Sequence, residues 1–108
     1  MSIFAHIVQA IFGKSEETAF PISRDQLEKQ IAALAVNTPQ RHNWRTSIVD
    51  LLKLLGVPND LDAREELARE LGYTGAIDGS DRMNTWLHEA VMKKLCETGG
   101  KVPNSFRD

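Results

Sequence analysis

The chain has 108 residues, the length of one domain, so two independent hydrophobic cores are excluded. Its content of 42% hydrophobic and 26% charged residues is that of a globular protein, which excludes a disordered tail, a fibre and a membrane protein built from long apolar runs. The 13 Lys and Arg residues against 15 Asp and Glu residues give a net charge of −2, so no overall positive field attracts a polyanion, and nucleic acid is disfavoured as a partner.

The first predicted element is an amphipathic helix within residues 1–13. Apolar residues recur there at helical spacing, as they do along most of the chain, and no segment alternates strictly as a half-buried strand does, so the fold is predicted to be all-α. Gly13 ends the helix, and residues 14–22, where the helical pattern lapses, predict a flexible linker. The apolar face of the helix comprises Ile3, Phe4, Ile7, Val8, Ile11 and Phe12.

Residues 23–100 are predicted to form a four-helix body. Ser23 is the expected N-cap of its first helix, and Asn43 is that of the second, which is predicted to begin at Trp44 and end at Gly56. The apolar positions of the first helix of the body are Leu27, Ile31 and Leu34.

Two further helices complete the predicted body. Asp60 opens the first of them and Gly72 ends it, while Ser80 or Asp81 caps the last helix, which ends at a glycine pair. Residues 101–108 are expected to form an extended tail on the surface. The predicted architecture is thus a small bundle of about five helices, with a flexible loop between the first helix and the four-helix body.

Motifs for catalysis and metal binding are incomplete in this sequence. The segment Gly-Lys-Ser at 13–15 lacks the earlier glycine and the preceding strand of a phosphate-binding loop. His88 and Glu89 begin a pattern similar to that of zinc proteases, but Met92 stands where the second histidine ligand is required. We therefore expect a non-enzymatic protein without catalytic residues, a metal site or a cofactor.

A small helix-turn-helix-like DNA-binding domain is the alternative interpretation, because the helices on either side of residues 56–59 have the right proportions. The second of these helices is acidic, and its charge opposes the phosphate contacts that supply most DNA affinity. The last helix offers residue types that contact bases, although the same types occur on any exposed helix face: Arg82, Asn84, Thr85, His88 and Lys93.

Asn84 and His88 lie one turn apart on the last predicted helix, so they are also predicted to form a small polar contact patch. Cys96 is the only cysteine and cannot form a disulfide within the chain, which favours a reducing compartment. The N-terminus has neither the features of a signal peptide nor an apolar stretch long enough to span a bilayer, so a cytoplasmic location is expected.

The N-terminal helix is the main functional candidate, because it carries six large apolar residues on a flexible tether. Such a helix docks on its own body, binds a protein partner or a second copy, or lies at a membrane surface. Docking is the simplest interpretation. Only Lys14 supplies positive charge nearby, so peripheral membrane contact ranks below an unidentified protein partner or self-association. The leading hypothesis is an interaction or accessory module that binds through Ile3, Phe4, Ile7, Val8, Ile11 and Phe12.

Several runs of the sequence resemble the bacterial domain-of-unknown-function family 3597. The runs are WRTSIVDL at 44–51, AREELARELGYTG at 63–75, MNTWLH at 83–88 and GGKVP at 99–103, together with MSIF at the start and IFG at 11–13. The resemblance spans nearly the whole chain and implies a small helical domain with a flexible loop after its first helix. The family has no established activity, so no residue role is carried over from it.

Overall fold

A computed structural model describes residues 2–13, 21–38 and 43–99, and five α-helices lie in these ranges. The helices are α1 (Ile3–Phe12), α2 (Arg24–Val36), α3 (Ile48–Leu55), α4 (Leu61–Leu71) and α5 (Asp81–Thr98). No strand occurs within the described ranges, so the predicted all-α bundle is confirmed. The predicted linker, 14–22, lies outside the described residues except for its last two, and the predicted tail, 101–108, lies wholly outside them.

Three of the predicted N-caps are confirmed. Ser23 forms a capping box with Gln26, in which the Ser23 hydroxyl accepts the Gln26 backbone N–H at 3.1 Å and the Gln26 side-chain oxygen accepts the Ser23 N–H at 3.0 Å. Asp60 caps α4 and Ser80 caps α5, each through a side-chain oxygen that accepts the backbone N–H three residues further on, at 3.2 and 3.3 Å.

The start of α3 differs from the prediction, because its N-cap is Ser47 and not Asn43. The carbonyl of Asn43 accepts the N–H of Ser47 at 3.0 Å, which closes a turn before the helix. The Ser47 hydroxyl then accepts the N–H of Asp50 at 3.2 Å, and the Asp50 carboxylate accepts the N–H of Asn43 at 2.8 Å. Trp44 therefore lies in this turn and not in the helix, and it is buried in the core.

Both α3 and α4 end at a glycine, as predicted. Gly56 and Gly72 have φ angles of 69° and 82°, in the left-handed region that a side chain disfavours. The N–H of Tyr73 then bonds back to the carbonyl of Ala68 at 2.9 Å, which satisfies one of the carbonyls left without a partner at the end of α4. The chain thus turns away directly after α4, and Glu70 lies in the last turn of that helix.

A hydrophobic core joins all five helices. α5 packs against α2, α3 and α4, and α1 packs against the same three helices. The largest fully buried side chains are Phe4, Ile7, Leu27, Ile31, Ile48, Leu51, Leu52, Leu67, Met83, Leu87, Met92 and Leu95. Because two of these side chains belong to α1, the first helix is part of the core and is docked on the rest of the bundle.

Candidate functional site

The candidate site is the surface of α2, α3 and α4 that α1 covers, which we call the α1 groove. Five large apolar side chains of α1 are at most 7% exposed: Ile3, Phe4, Ile7, Val8 and Ile11. Phe12 is half-buried and packs against the core at the end of the helix. These six residues are the predicted partner-binding face, and in this conformation the body of the same chain covers that face.

The first turn of α1 is capped by a residue from another helix. The carboxylate of Glu70, on α4, accepts the backbone N–H groups of Ile3 at 2.9 Å and Phe4 at 3.0 Å, and the hydroxyl of Ser2 at 2.7 Å. The Ser2 hydroxyl oxygen in turn accepts the N–H of Ala5 at 3.1 Å. Donors that have no partner inside a helix are thereby satisfied, and a negative charge lies at the positive end of the α1 dipole.

Glu70 occupies an unfavourable position within its own helix. It is the penultimate residue of α4, where the negative end of the helix dipole disfavours a carboxylate by about 0.3–1 kcal/mol. Its side chain is half-buried, and its hydrogen bonds join residues that are 66 to 68 positions apart in the sequence. The first turn of α1 thus supplies this carboxylate with donors that α4 does not provide.

Asn84 and His88 do not form the polar surface patch predicted for them. His88 is only 3% exposed, and its Nε2 atom lies 2.7 Å from the carbonyl oxygen of Trp44. Because a carbonyl oxygen can only accept, Nε2 carries the proton and donates it. Asn84 is half-buried and its Oδ1 atom accepts from the Arg64 guanidinium at 2.8 Å. The two side chains thus hold different parts of the fold together.

An ion-pair network links α2, α5 and the turn before α3, and only its Arg24–Glu28 pair has the i,i+4 spacing that the sequence reveals. Glu28 accepts from Arg24 at 3.2 Å and lies 3.5 Å from Arg45, while Arg24 also lies 3.6 Å from Glu89. The Arg45 guanidinium lies 4.2 Å from the centre of the Trp44 ring. The ion-paired side chains are 32–68% exposed, so water screens them and each pair adds less than about 1 kcal/mol.

A family model described as a domain of unknown function (DUF3597) matches residues 18–103. The chain belongs to this family. The matched region begins after α1 and contains α2, α3, α4 and α5. It therefore includes Glu70 and the three helices of the α1 groove, but not the helix that fills the groove.

A solved structure is similar to this DUF3597 chain over its full length. It is the solution structure of a conserved unknown protein from Rhodopseudomonas palustris, which is 36% identical, with 100% of each chain covered and a TM-score of 0.61. No curated protein matches the chain. The relative supports the fold of the described residues, and its description names no activity.

The exposed charges of this DUF3597 chain do not favour the DNA-binding alternative. The exposed side of α4, the second helix of the predicted helix-turn-helix, carries Asp62 and Glu66, which repel phosphate. Of the five predicted base-contacting residues on α5, three are exposed: Arg82, Thr85 and Lys93. DNA binding stays a prediction that these features do not strengthen.

Cys96 is a free, half-buried thiol that packs against the core. Its partial burial raises the pKa of the thiol above its ordinary value, which favours the protonated form at neutral pH. The backbone carbonyl of Cys96 accepts the N–H of Ile22 at 2.9 Å, so the chain is fixed to α5 just before α2 begins.

Two further kinds of site are not found in the described part of the chain. No three His, Cys, Asp or Glu side chains lie close enough together there to hold a metal ion. None of the described helices combines the length and the apolar character needed to cross a bilayer.

Proposed function

We propose that this chain is a non-enzymatic helical interaction module that associates with a second copy of itself by exchanging α1. In the exchanged dimer, α1 of each copy fills the α1 groove of the other, and Glu70 caps a helix that belongs to the other chain. The partner-binding residues are those predicted from the sequence: Ile3, Phe4, Ile7, Val8, Ile11 and Phe12.

The observation that supports this proposal is the way in which α1 is held. Its apolar face is buried against three helices and its first turn is bonded to the Glu70 carboxylate. A second copy presents the same groove and the same carboxylate, so an exchanged helix makes the native contacts without any change in the groove. Exchange of an identical element is for this reason a low-cost route to a dimer. For a different protein or a membrane surface, no surface that fits α1 is known from this structure.

Exchange has to compete with docking of α1 in its own chain. A helix joined to its groove by a short stretch of chain has an effective concentration on the order of 1 mM, so we expect dimers as the protein concentration approaches this value and monomers well below it. Conversion of the monomer to the exchanged dimer requires α1 to leave its groove, which exposes five buried apolar side chains. We therefore expect the conversion to be slow enough for monomer and dimer to be separated.

The experiment measures the mass and the contacts of the full chain. Size-exclusion chromatography with light scattering, from about 10 μM to about 1 mM, should give a separable dimer at the upper end of the range. A dimer refolded from equal parts of ¹³C-labelled and unlabelled chains should then show nuclear Overhauser effects between Phe4 of one chain and α4 of the other. A monomer at every concentration, or a dimer with α1–α4 contacts only within each chain, would contradict the proposal.

Two variants of α1 provide matched controls. Ile7→Asp places a charge in the α1 groove, so neither copy accepts the helix and the dimer should be lost. Gln9→Asp places the same charge on the exposed side of α1 and should dimerise as the wild type does. Loss of the dimer in both variants would mean that charge on α1, and not burial in the groove, controls association.

A further inference from the structure

We infer that Glu70 is the specificity-determining residue of the α1 groove, because it fixes the register and the direction of the helix that the groove accepts. Selection of a helix from a second copy by Glu70 rests on the exchange proposed above. The class of ligand is an amphipathic helix that begins with a hydroxyl residue followed by two apolar residues, as α1 does at Ser2, Ile3 and Phe4.

The apolar face of α1 does not by itself fix the position of the helix along the groove. Its residues form two rows with four-residue spacing: Ile3, Ile7 and Ile11, and Phe4, Val8 and Phe12. A slide of four residues, about 6 Å along the helix axis, replaces isoleucine by isoleucine in one row and exchanges phenylalanine and valine in the other. In the shifted register, apolar residues of α1 still fill four of the six positions, so the apolar face alone does not exclude it.

The hydrogen bonds of Glu70 are available in one register only. Ile3 and Phe4 are the first two residues of α1, so their N–H groups have no acceptor within the helix. One turn further along, the N–H groups are bonded to carbonyls of α1 itself, and the half-buried carboxylate would lose these donors. Water can reach the half-buried carboxylate and replaces these bonds only in part, so the shifted register loses charge-assisted hydrogen bonds and is disfavoured.

The same carboxylate fixes the direction of the helix. A helix that lies the other way round presents its C-terminal carbonyl groups to this end of the groove. These groups are acceptors with a partial negative charge, and they repel Glu70 where the N–H groups of Ile3 and Phe4 bind it. The groove therefore accepts a helix that runs in the direction of α1.

The test compares Glu70→Gln with Glu66→Gln in the full chain, at a concentration where the chain is monomeric. Both changes remove one negative charge from α4, but Glu66 is exposed. The probe is α1 itself, followed by its amide signals and by the nuclear Overhauser effects of the Phe4 ring. In Glu70→Gln we expect at least two sets of α1 amide signals, Phe4 contacts one turn apart along the groove, and about tenfold faster hydrogen exchange at the Phe4 amide. Glu66→Gln should behave as the wild type does.

A single set of α1 signals with wild-type Phe4 contacts in Glu70→Gln would overturn the inference, even if stability falls, because Glu70 would then act only as a cap. Should Glu70→Gln fail to fold, Glu70→Asp keeps the charge but shortens its reach to α1, and the same two outcomes apply. Both measurements use the monomer, so they are independent of dimer formation. Absence of a wild-type dimer therefore contradicts the exchange of α1 and leaves the register effect standing.

Discussion

At the scale of single residues, His88 shows how a polar side chain becomes part of a hydrophobic core. The ring lies on α5 next to the buried residues Leu87 and Val91, and its Nε2–H group satisfies the carbonyl of Trp44. That carbonyl lies in the turn before α3, where no helical N–H bonds to it. A buried carbonyl without a donor carries the full cost of its lost hydration, so the histidine has a structural role at this position.

We expect His88→Phe to lower the free energy of unfolding by about 1–3 kcal/mol, because the volume of the ring is retained while the Trp44 carbonyl loses its donor. Urea denaturation followed by circular dichroism measures the change. Lys93→Ala, an exposed substitution on the same helix, should remain within about 0.5 kcal/mol of the wild type. Equal stability of the two variants would contradict the structural role of the histidine.

The thiol of Cys96 is expected to react slowly. Burial raises its pKa, so a smaller fraction is thiolate at a given pH in the folded chain than in the unfolded chain, and the thiolate is the nucleophile. At a pH of about 8, an aromatic disulfide reagent should react at least about fivefold more slowly with the native chain than with the chain in guanidinium. Equal rates in the two conditions would show that the thiol is neither shielded nor shifted.

The raised pKa of Cys96 also makes the stability of the fold depend on pH. The unfolded chain ionises its thiol at lower pH than the folded chain does, so the thiol favours unfolding as the pH rises above the unfolded value. The contribution is absent at neutral pH, where the thiol is protonated in both states.

At the scale of the helices, the start of α3 is decided by a competition between two good capping residues, Asn43 and Ser47. Asn43 makes its bonds through its backbone N–H and carbonyl, which any residue except proline provides. Ser47 uses its side chain to accept the N–H of Asp50. Loss of the Ser47 hydroxyl should therefore destabilise α3, whereas loss of the Asn43 side chain should not.

We expect Ser47→Ala to lower the free energy of unfolding by about 1 kcal/mol, since a hydroxyl N-cap is lost. Asn43→Ala retains the backbone bonds that Asn43 makes and should change stability by less than about 0.5 kcal/mol. Thermal or urea unfolding of the two variants compares them directly, and a larger effect at Asn43 would place the functional cap where the sequence pattern predicts it.

Local patterns in the sequence predict most of the helices, because apolar spacing and caps act over three or four residues. Ser23, Asp60 and Ser80 each act within their own first turn, and their roles are predicted correctly. The choice of Ser47 over Asn43 depends on the Asp50 carboxylate, which bonds back to the turn before the helix. Asp50 also follows Ser47 at the three-residue spacing of a capping box, a local signal that the preference for asparagine as an N-cap does not take into account.

The candidate site lies beyond such local patterns. The Glu70 carboxylate bonds residues 66 to 68 positions away, so no pattern of short range reveals its role. A carboxylate in the last turn of a helix is disfavoured by the helix dipole, but Glu97 occupies the same position in α5, so this feature does not single out Glu70. The residue type of His88 predicts a surface position, but the ring is buried, so the core extends to a polar position of α5.

At the scale of the whole molecule, the first and the last described helices, α1 and α5, occupy similar places in the core. α1 and α5 each pack against α2, α3 and α4. The first helix can leave this arrangement without breaking the contacts that α5 makes with its neighbours. α5 contributes four of the largest fully buried side chains and α1 contributes two, so opening of α1 exposes less of the core and is expected at a lower free energy.

We expect hydrogen exchange to reveal this difference. Amides of Ile7 and Val8 should exchange through an opening whose free energy lies about 1–3 kcal/mol below that of global unfolding, while those of Leu87 and Val91 should exchange only through global unfolding. Native-state exchange at increasing denaturant concentration measures both. Coincident free energies for the two helices would mean that α1 leaves the core only when the whole chain unfolds.

The bond between Ser2 and Glu70 also means that α1 is synthesised well before the residue that caps it. At 5–20 residues per second, the 68 positions that separate Ser2 from Glu70 take roughly 3–14 s to translate. Throughout that interval α1 has no complete groove of its own to enter. A ribosome further along the same message carries a chain that has already passed Glu70, so a newborn α1 meets the groove of an older copy before its own, in competition with the α1 of that copy.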